Sequence, residues 1–439
     1  MKKIFILSFL SLATLTAFSQ NFAAQKLDSL FQVLKKKDKF MGSIALSQNG
    51  KTIYSNAIGY SDLATSKLAS TATKYRIGSI SKVFTATLLF KAIEEKKLSL
   101  NTTIDRYFPQ IENCKKITIE HLLNHRSGIH NFTDDVDYLA YNTQPKTEKQ
   151  MVEIIAKGKS DFEPNSKAKY SNSNYVLLSY ILQKAYKKDY ASILNEKILR
   201  PVGLKNTYFG TKKTNILNNE SYSYHFKNEW IKEDETDLSI PMGAGALIAN
   251  PTDLTTFITS LFEQKIVGQK SLALMKTIKN GYGMGLFDLS HSDTKSYGHD
   301  GAIDRFQSIV AYYPEEKLAI AISSNGSIYK IPNILACAES CYFNRPFEIP
   351  TFEKLAVASE ILDTYVGTYA SGQIPIKINI TNKEAQLFAQ ATGQAGFALE
   401  ATTPTIFKFD QAGIVLEFKP EHKQMTLKQS GKEFLFKKE

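Results

Sequence analysis

Residues 76–90 read RIGSISKVFTATLLF. Two serines and a lysine fall within four positions, and a long apolar run follows. Ser79 and Lys82 are i and i+3, so on a helix they share a face. A serine at a helix N-terminus can be a cap. It also lies where free backbone N–H groups and the helix dipole favour developing negative charge. A serine hydroxyl is a weak nucleophile until a neighbour takes its proton, and Lys82 is such a neighbour. Ser81 points a different way round the helix and reads as structural. S-x-x-K recurs at Ser166, Ser292 and Ser327, but only the Ser79 copy opens a long apolar helix, predicted over 83–98 with one apolar face. The chain has no G-x-S-x-G, which argues against an α/β-hydrolase elbow.

Two further elements lie far downstream. Residues 162–182, FEPNSKAKYSNSNYVLLSYIL, place Tyr170 and Asn172 just before a second apolar helix. A tyrosine near ammonium groups can have its pKa pulled down and shuttle protons. An amide such as Asn172 can hold the lysine and bind a substrate carbonyl without titrating. The other Y-x-N copies, at Tyr54 and Tyr342, read as incidental. The third element is His299-Asp300-Gly301-Ala302, just ahead of a strand. Glycine there would let a substrate backbone approach the sheet edge, and a strand N–H after it would complete an oxyanion hole with that of Ser79.

Around these elements the chain reads as strands early and late with helices between. Leu27, Leu30, Phe31 and Leu34 recur at helical spacing. Asn49-Gly50 between two apolar-rich runs signals a hairpin. Thr252-Asp253 after Pro251 starts another helix. Strands at 308–313 and 317–323 flank the turn Pro314-Glu315-Glu316. That order suits an α+β domain whose terminal segments pair in one antiparallel sheet. Prolines at 346 and 350 mark a linker. Beyond it Ile376, Ile378 and Ile380, then Ile414, Leu416 and Phe418, alternate with polar residues, as a small antiparallel β-barrel or sandwich does. The expected boundaries are a signal peptide at 1–19, a hydrolase domain at 20–345, a linker at 346–355 and a barrel at 356–439.

Composition narrows the class. Of 439 residues 43% are hydrophobic and 22% charged, ordinary for a globular chain. Lys2 and Lys3 precede an apolar run from Ile4 to Phe18, and Ala17 and Ser19 supply small residues for cleavage. This reads as a secretory signal, too short for a stable membrane anchor. The protein is therefore expected to be periplasmic or secreted. The formal charge is +11, but the lysines are scattered and read as a solvated surface, not a nucleic-acid site. The three cysteines, among them Cys337 and Cys341, read as free. His121 and His125 stand i and i+4 but lack the glutamate of H-E-x-x-H, so no metal and no cofactor is assigned. Trp230, the one tryptophan, is left outside the site.

The order S-x-x-K, Y-x-N, H-x-G resembles that of the penicillin-recognising serine hydrolases, the group of class C β-lactamases, D-alanyl-D-alanine carboxypeptidases, D-aminopeptidases and esterases. HLLNHRSGI at 121–129, PVGLKNTYF at 201–209 and YGMGL at 282–286 are similar to further motifs of that group. The resemblance covers about residues 25–335, and the segment at 365–369, YVGTY, resembles lipocalin-like appendages of some relatives. It implies a β-lactamase-like fold and an acyl-enzyme mechanism. Ser79 would be the nucleophile, with Lys82 lowering its pKa and Tyr170 as general base. Asn172, His299, Asp300, Gly301 and Ala302 would bind substrate, and the N–H groups of Ser79 and Ala302 would hold the oxyanion. His299-Asp300 stands where β-lactamases carry a K-T pair that faces the substrate carboxylate. Asp300 would repel such a group unless Arg305 offsets it. The substrate is expected to be a small molecule or peptide, with peptidoglycan-derived compounds among the options. Ester, peptide and lactam bonds stay open, as do a catalytically retired peptide-binding relative and the oligomeric state.

Overall fold

The computed structural model describes residues 22–210, 213–291, 293–352, 355–409, 412–429 and 432–439. The expected signal peptide lies outside them. Among the described residues no helix is long and apolar enough to cross a membrane. The chain divides into two compact units, with the boundary between Ile349 and Pro350.

In the first unit, helix α1 (Ala24–Lys36) buries Leu27, Leu30, Phe31 and Leu34. Strands β1 (Phe40–Gln48) and β2 (Lys51–Ile58) follow as a hairpin. Asn49 and Gly50 at its tip have φ of 51° and 74°, the left-handed pair whose twist suits a two-residue connection. Next come helices α2 (Ser81–Glu94), α3 (Asn172–Tyr186) and α4 (Pro251–Phe262). The Asn250 side chain caps α4 by accepting the Asp253 N–H. Strands β3 (Phe287–Asp288), β4 (Tyr297–Ile303), β5 (Phe306–Tyr313) and β6 (Leu318–Ser327) precede helix α5 (Ile331–Tyr342). The six strands form one antiparallel sheet in the order β3-β4-β5-β6-β1-β2. Pairing of β1 with β6, from Phe40 opposite Ser327 to Gln48 opposite Leu318, joins the start of the unit to its end. Helix α4 packs on β1, β5 and β6, while α1 and α5 pack on each other and on the same sheet. Cover on both faces explains why β1 and β6 are buried at almost every residue.

Helix α2 departs from its expected form in two ways. It ends at Glu94 because the chain turns at Lys96, where φ is 58°. It also has no solvent face over most of its length, since every residue from Ser81 to Phe90 is buried. A helix surrounded by protein must satisfy its polar side chains internally. Thr85 donates to the Gly243 carbonyl and Thr87 to that of Val83, each at 2.7 Å. Phe84 stacks on Phe257 of α4 with ring centroids 3.6 Å apart.

A short 3-10 turn, Gly78–Ile80, leads into α2 and lies directly against β4. Both surfaces lack side chains at the point of contact. A Cβ on Gly301 would stand 2.1 Å from the Ile77 carbonyl oxygen, and one on Gly78, where φ is 52°, would stand 2.8 Å from the Ala302 nitrogen. The side-chain direction at 301 faces the Ser79 turn. Glycine is therefore needed for strand-to-turn contact.

The second unit begins with the turn of helix at Ser359–Tyr365 and continues as nine strands. They are β7 (Gly367–Ala370), β8 (Lys377–Lys383), β9 (Gln386–Ala391), β10 (Phe397–Ala398), β11 (Glu400–Ala401), β12 (Ile406–Phe409), β13 (Ile414–Lys419), β14 (Gln424–Gln429) and β15 (Lys432–Lys438). Their order is β10-β9-β8-β7-β15-β14-β13-β12-β11. The two ends of that sheet, β10 and β11, are separated in sequence only by Leu399, so the sheet curls back on itself into a nearly closed barrel. Tyr365, Tyr369, Phe407, Leu416, Phe418, Met425 and Phe436 fill its core. Tyr365 stacks on Phe418 at 4.5 Å.

The glycine contact gives a direct test. Gly301→Ala is expected to cost about 2 kcal/mol or more of stability, because the new methyl meets backbone and not a movable side chain. Denaturant midpoints of the two proteins measure it; equal midpoints would contradict the close approach.

Candidate active site

The turn at Gly78–Ile80 presents Ser79 at the start of α2, and Lys82 lies one turn further on. Lys82 Nζ is 2.9 Å from Ser79 Oγ, and it donates to Asn172 Oδ1 and to the Ala244 carbonyl, both at 2.8 Å. The side chain has no exposed surface. Burial holds its pKa well below the ordinary lysine value, and the Asp300 carboxylate opposes that shift. A neutral amine has two donors and one lone pair. In the neutral form the two carbonyl oxygens would take the donors and the lone pair would face the Ser79 hydroxyl.

Tyr170 OH donates to Ser79 Oγ at 2.8 Å. Its pKa moves opposite to the sequence expectation: burial pushes it up, and nearby Asp300 and Tyr282 add to the rise against the Ser79 hydrogen bond. The cation expected to lower it is itself largely suppressed by burial. At rest the phenol therefore keeps its proton.

Asn172 lies at the first turn of α3 and holds the lysine. Its Nδ2 donates to Thr133 Oγ1 at 3.1 Å and its N–H to Asn131 Oδ1 at 2.9 Å. Both ends of the carboxamide are thus engaged within the protein. Asn131, Thr133 and the Ala244 carbonyl were not singled out from the sequence. A backbone carbonyl has no sequence signature; the polar run NFTDD at 131–135 was the one available signal for the other two.

His125 also has a place here. It adopts φ of 56°, and its Nδ1 accepts the Ser171 N–H at 3.2 Å. Its ring lies 4.6 Å from that of Tyr170 and 5.1 Å from that of Tyr282. It thus acts as a positioning residue for Tyr170. Burial, helped by Lys82 and His299, drives its pKa well below the usual histidine value, so it is neutral. His121 is engaged separately, with Nδ1 accepting the Thr118 N–H in a capping box.

The β4 residues divide by face. His299 is 1% exposed, stacked on Phe287 at 4.1 Å, with Nδ1 bonded to the Asp300 carbonyl. Burial, with Lys82 adding to it, depresses its pKa to about 3. It therefore carries no charge at neutral pH. Asp300 turns outward with its side chain 68% exposed. Ala302 shares that outward face, and Gly301 sets the strand against the serine turn. Arg305 Nε stands 3.6 Å from Glu233 Oε2, so its partner is Glu233 and not Asp300. Ser81 is buried and accepts the Leu247 N–H at 3.1 Å.

A cavity of about 430 Å³ opens beside Ser79. Phe132, Tyr138, Leu139 and Ile303 give it apolar surface; Glu233, Asp234, Asp304 and Arg305 give it charged surface. Asp304 is held from within by Thr236 N–H and hydroxyl, at 3.0 and 2.6 Å, and by Arg76 at 3.5 Å.

Comparison with known proteins agrees with this architecture. The beta-lactamase family profile matches residues 27–330. Penicillin-binding protein 4* of Bacillus subtilis (strain 168) is 25% identical over 426 residues, covering 89% of this chain and 93% of that protein. The D-amino acid amidase of Ochrobactrum anthropi SV3, solved with L-phenylalanine amide, superposes with a TM-score of 0.65 at 24% identity, over 73% of this chain and 99% of that one. The octameric penicillin-binding protein homologue of Pyrococcus abyssi has a TM-score of 0.67 at 22% identity, over 94% and 99%. The chain belongs to the beta-lactamase family and is a serine hydrolase of the penicillin-recognising group.

Proposed function

We propose that this protein hydrolyses amide bonds through an acyl-enzyme on Ser79. The observation that carries the reading is the placement of two proton-transfer groups, Lys82 Nζ and Tyr170 OH, within 2.9 Å of one hydroxyl beside a cavity. Ser79 Oγ attacks the carbonyl carbon while its proton passes to the neutral Lys82 amine. The N–H groups of Ser79 and Ala302 receive the developing oxyanion. Tyr170 gives its phenolic proton to the departing nitrogen, which leaves as an amine. The resulting phenolate beside the Lys82 ammonium takes a proton from water. The hydroxide attacks the acyl carbon, and the Lys82 ammonium returns a proton to Ser79. Every group then regains its resting state. A high resting pKa for Tyr170 and a low one for Lys82 fit this direction of transfer.

Two solved relatives are named as a D-amino acid amidase and a D-stereospecific amidohydrolase. Their names support an amide of a D-amino acid as the substrate class, and we place D-amino-acid peptides of the peptidoglycan type within it. The first nineteen residues support export to the periplasm or beyond. We take the hydrolase unit and the barrel as separate domains, with the barrel playing no part in the chemistry.

Three experiments test the reading. A fluorophosphonate should phosphonylate Ser79 with loss of fluoride, a slowly hydrolysed amide should acylate it, and Ser79→Ala should lose both adducts and turnover, by about ten-thousandfold or more. Tyr170→Phe should lower kcat by about a hundredfold or more with little change in KM. An adduct on another residue would contradict the assignment. The pH profile carries a sign. The neutral Lys82 amine is the base, so kcat/KM should rise with pH along an acid limb whose midpoint lies well below the ordinary lysine value. No loss should follow at mildly alkaline pH, because Tyr170 is pushed up and stays protonated. Activity that falls as pH rises through neutrality would overturn it.

A further inference from the structure

The chain carries a net charge of +11, yet among the described residues no cation beside Ser79 is without a partner or a burial that neutralises it. Lys82 is buried with its three contacts used. His299 is buried and neutral. Arg305 faces Glu233. The carboxylates of the cavity wall are partly answered: Glu233 by Arg305 and by a hydrogen bond with His225, Asp304 by Arg76 and Thr236. Asp300 is different. Among the described residues no side-chain donor lies within hydrogen-bonding distance of its carboxylate; the nearest is the neutral His299 ring, 3.7 Å away.

Its position gives that charge a function. Asp300 and Ala302 share a face of β4, two residues and about 6.6 Å apart along the strand. Ala302 lines the cavity beside Ser79, and Asp300 does not. The outer edge of β4 is paired by β3 only at Tyr297 and Gly298. A substrate with its scissile carbonyl at Ser79 and Ala302, and its acyl part in the cavity, would run its other end past the open edge towards Asp300. That end must leave for solvent, and Asp300 is the solvent-facing residue there.

We propose that Asp300 selects the charge of the departing group, rejecting a free carboxylate next to the scissile bond and accepting an uncharged amide or an ammonium-bearing one. This rests on the hydrolase reading above and makes the enzyme an amidase or an endo-acting peptidase, not a carboxypeptidase. A carboxylate arriving there would meet like charge with no compensating cation, whereas an ammonium would gain a partner that is otherwise unpaired.

The test uses one acyl group with three departing amines: glycine, glycinamide and ethylenediamine, which present a carboxylate, a neutral amide and an ammonium. For the full-length protein kcat/KM should rise in that order, by about fivefold at each step. Asp300→Asn should compress the series to within about twofold. Raising salt from 20 to about 500 mM should compress the wild-type series in the same way, which needs no variant. Fastest cleavage of the glycine compound, or a series unchanged by both Asp300→Asn and salt, overturns this inference while leaving the hydrolase intact. No cleavage of any member by a protein that also fails to form the Ser79 adduct overturns the hydrolase reading and this one together.

Discussion

The structure depends on one constraint: the Lys82 amine must be kept dry and still have all its hydrogen bonds. Taking an ammonium out of water costs several kcal/mol, and a buried lysine meets that cost by giving up its proton. Asn172 Oδ1, the Ala244 carbonyl and Ser79 Oγ are its three hydrogen-bond partners. Asn172 and Ala244 lie 90 and 162 residues from Lys82 along the chain, so this environment exists only when the helical region, the helix carrying Lys82 and the 242–245 turn are all assembled. The same dryness that lowers the Lys82 pKa raises that of the Tyr170 phenol. In the proposed mechanism one hydroxyl thus has a proton acceptor on one side and a proton donor on the other.

The rest of the fold serves that arrangement. Helix α2 is buried all round because it must carry Lys82 away from solvent. Pairing of β1 with β6 brings the C-terminal strands alongside the N-terminal hairpin, which positions β4 against the serine turn. Gly78 and Gly301 remove the two Cβ atoms that would hold strand and turn apart. His125 takes a left-handed conformation and fixes the chain just before α3, so the Tyr170 ring has a wall to rest on.

Much of this could be read in the residues themselves. Ser79 and Lys82 are one helical turn apart, and that spacing alone puts them on one face. Asn49-Gly50 names its turn because few other residues accept two successive positive φ values. The β-sheet pairing followed from strands at both ends of the unit. What the residues did not reveal depends on which way a side chain turns and what meets it. His299 and Asp300 are adjacent, but the strand puts the first inside against Phe287 and the second outside. Arg305 stood five residues from Asp300 in sequence, yet tertiary packing gave it Glu233. The direction of the Tyr170 shift turned on burial outweighing the Ser79 hydrogen bond, a balance of magnitudes that no motif encodes. The Ala244 carbonyl is a backbone atom and left no mark on the sequence.

The most direct measurement is a site-resolved titration of Lys82, following its side-chain carbon and nitrogen NMR signals in the full-length protein against a Lys82→Arg control. The account predicts a protonation midpoint well below that of the surface lysines, with the amine neutral in the active pH range. A midpoint among the surface lysines would contradict it, because Ser79 would then face an ammonium with no lone pair to take its proton.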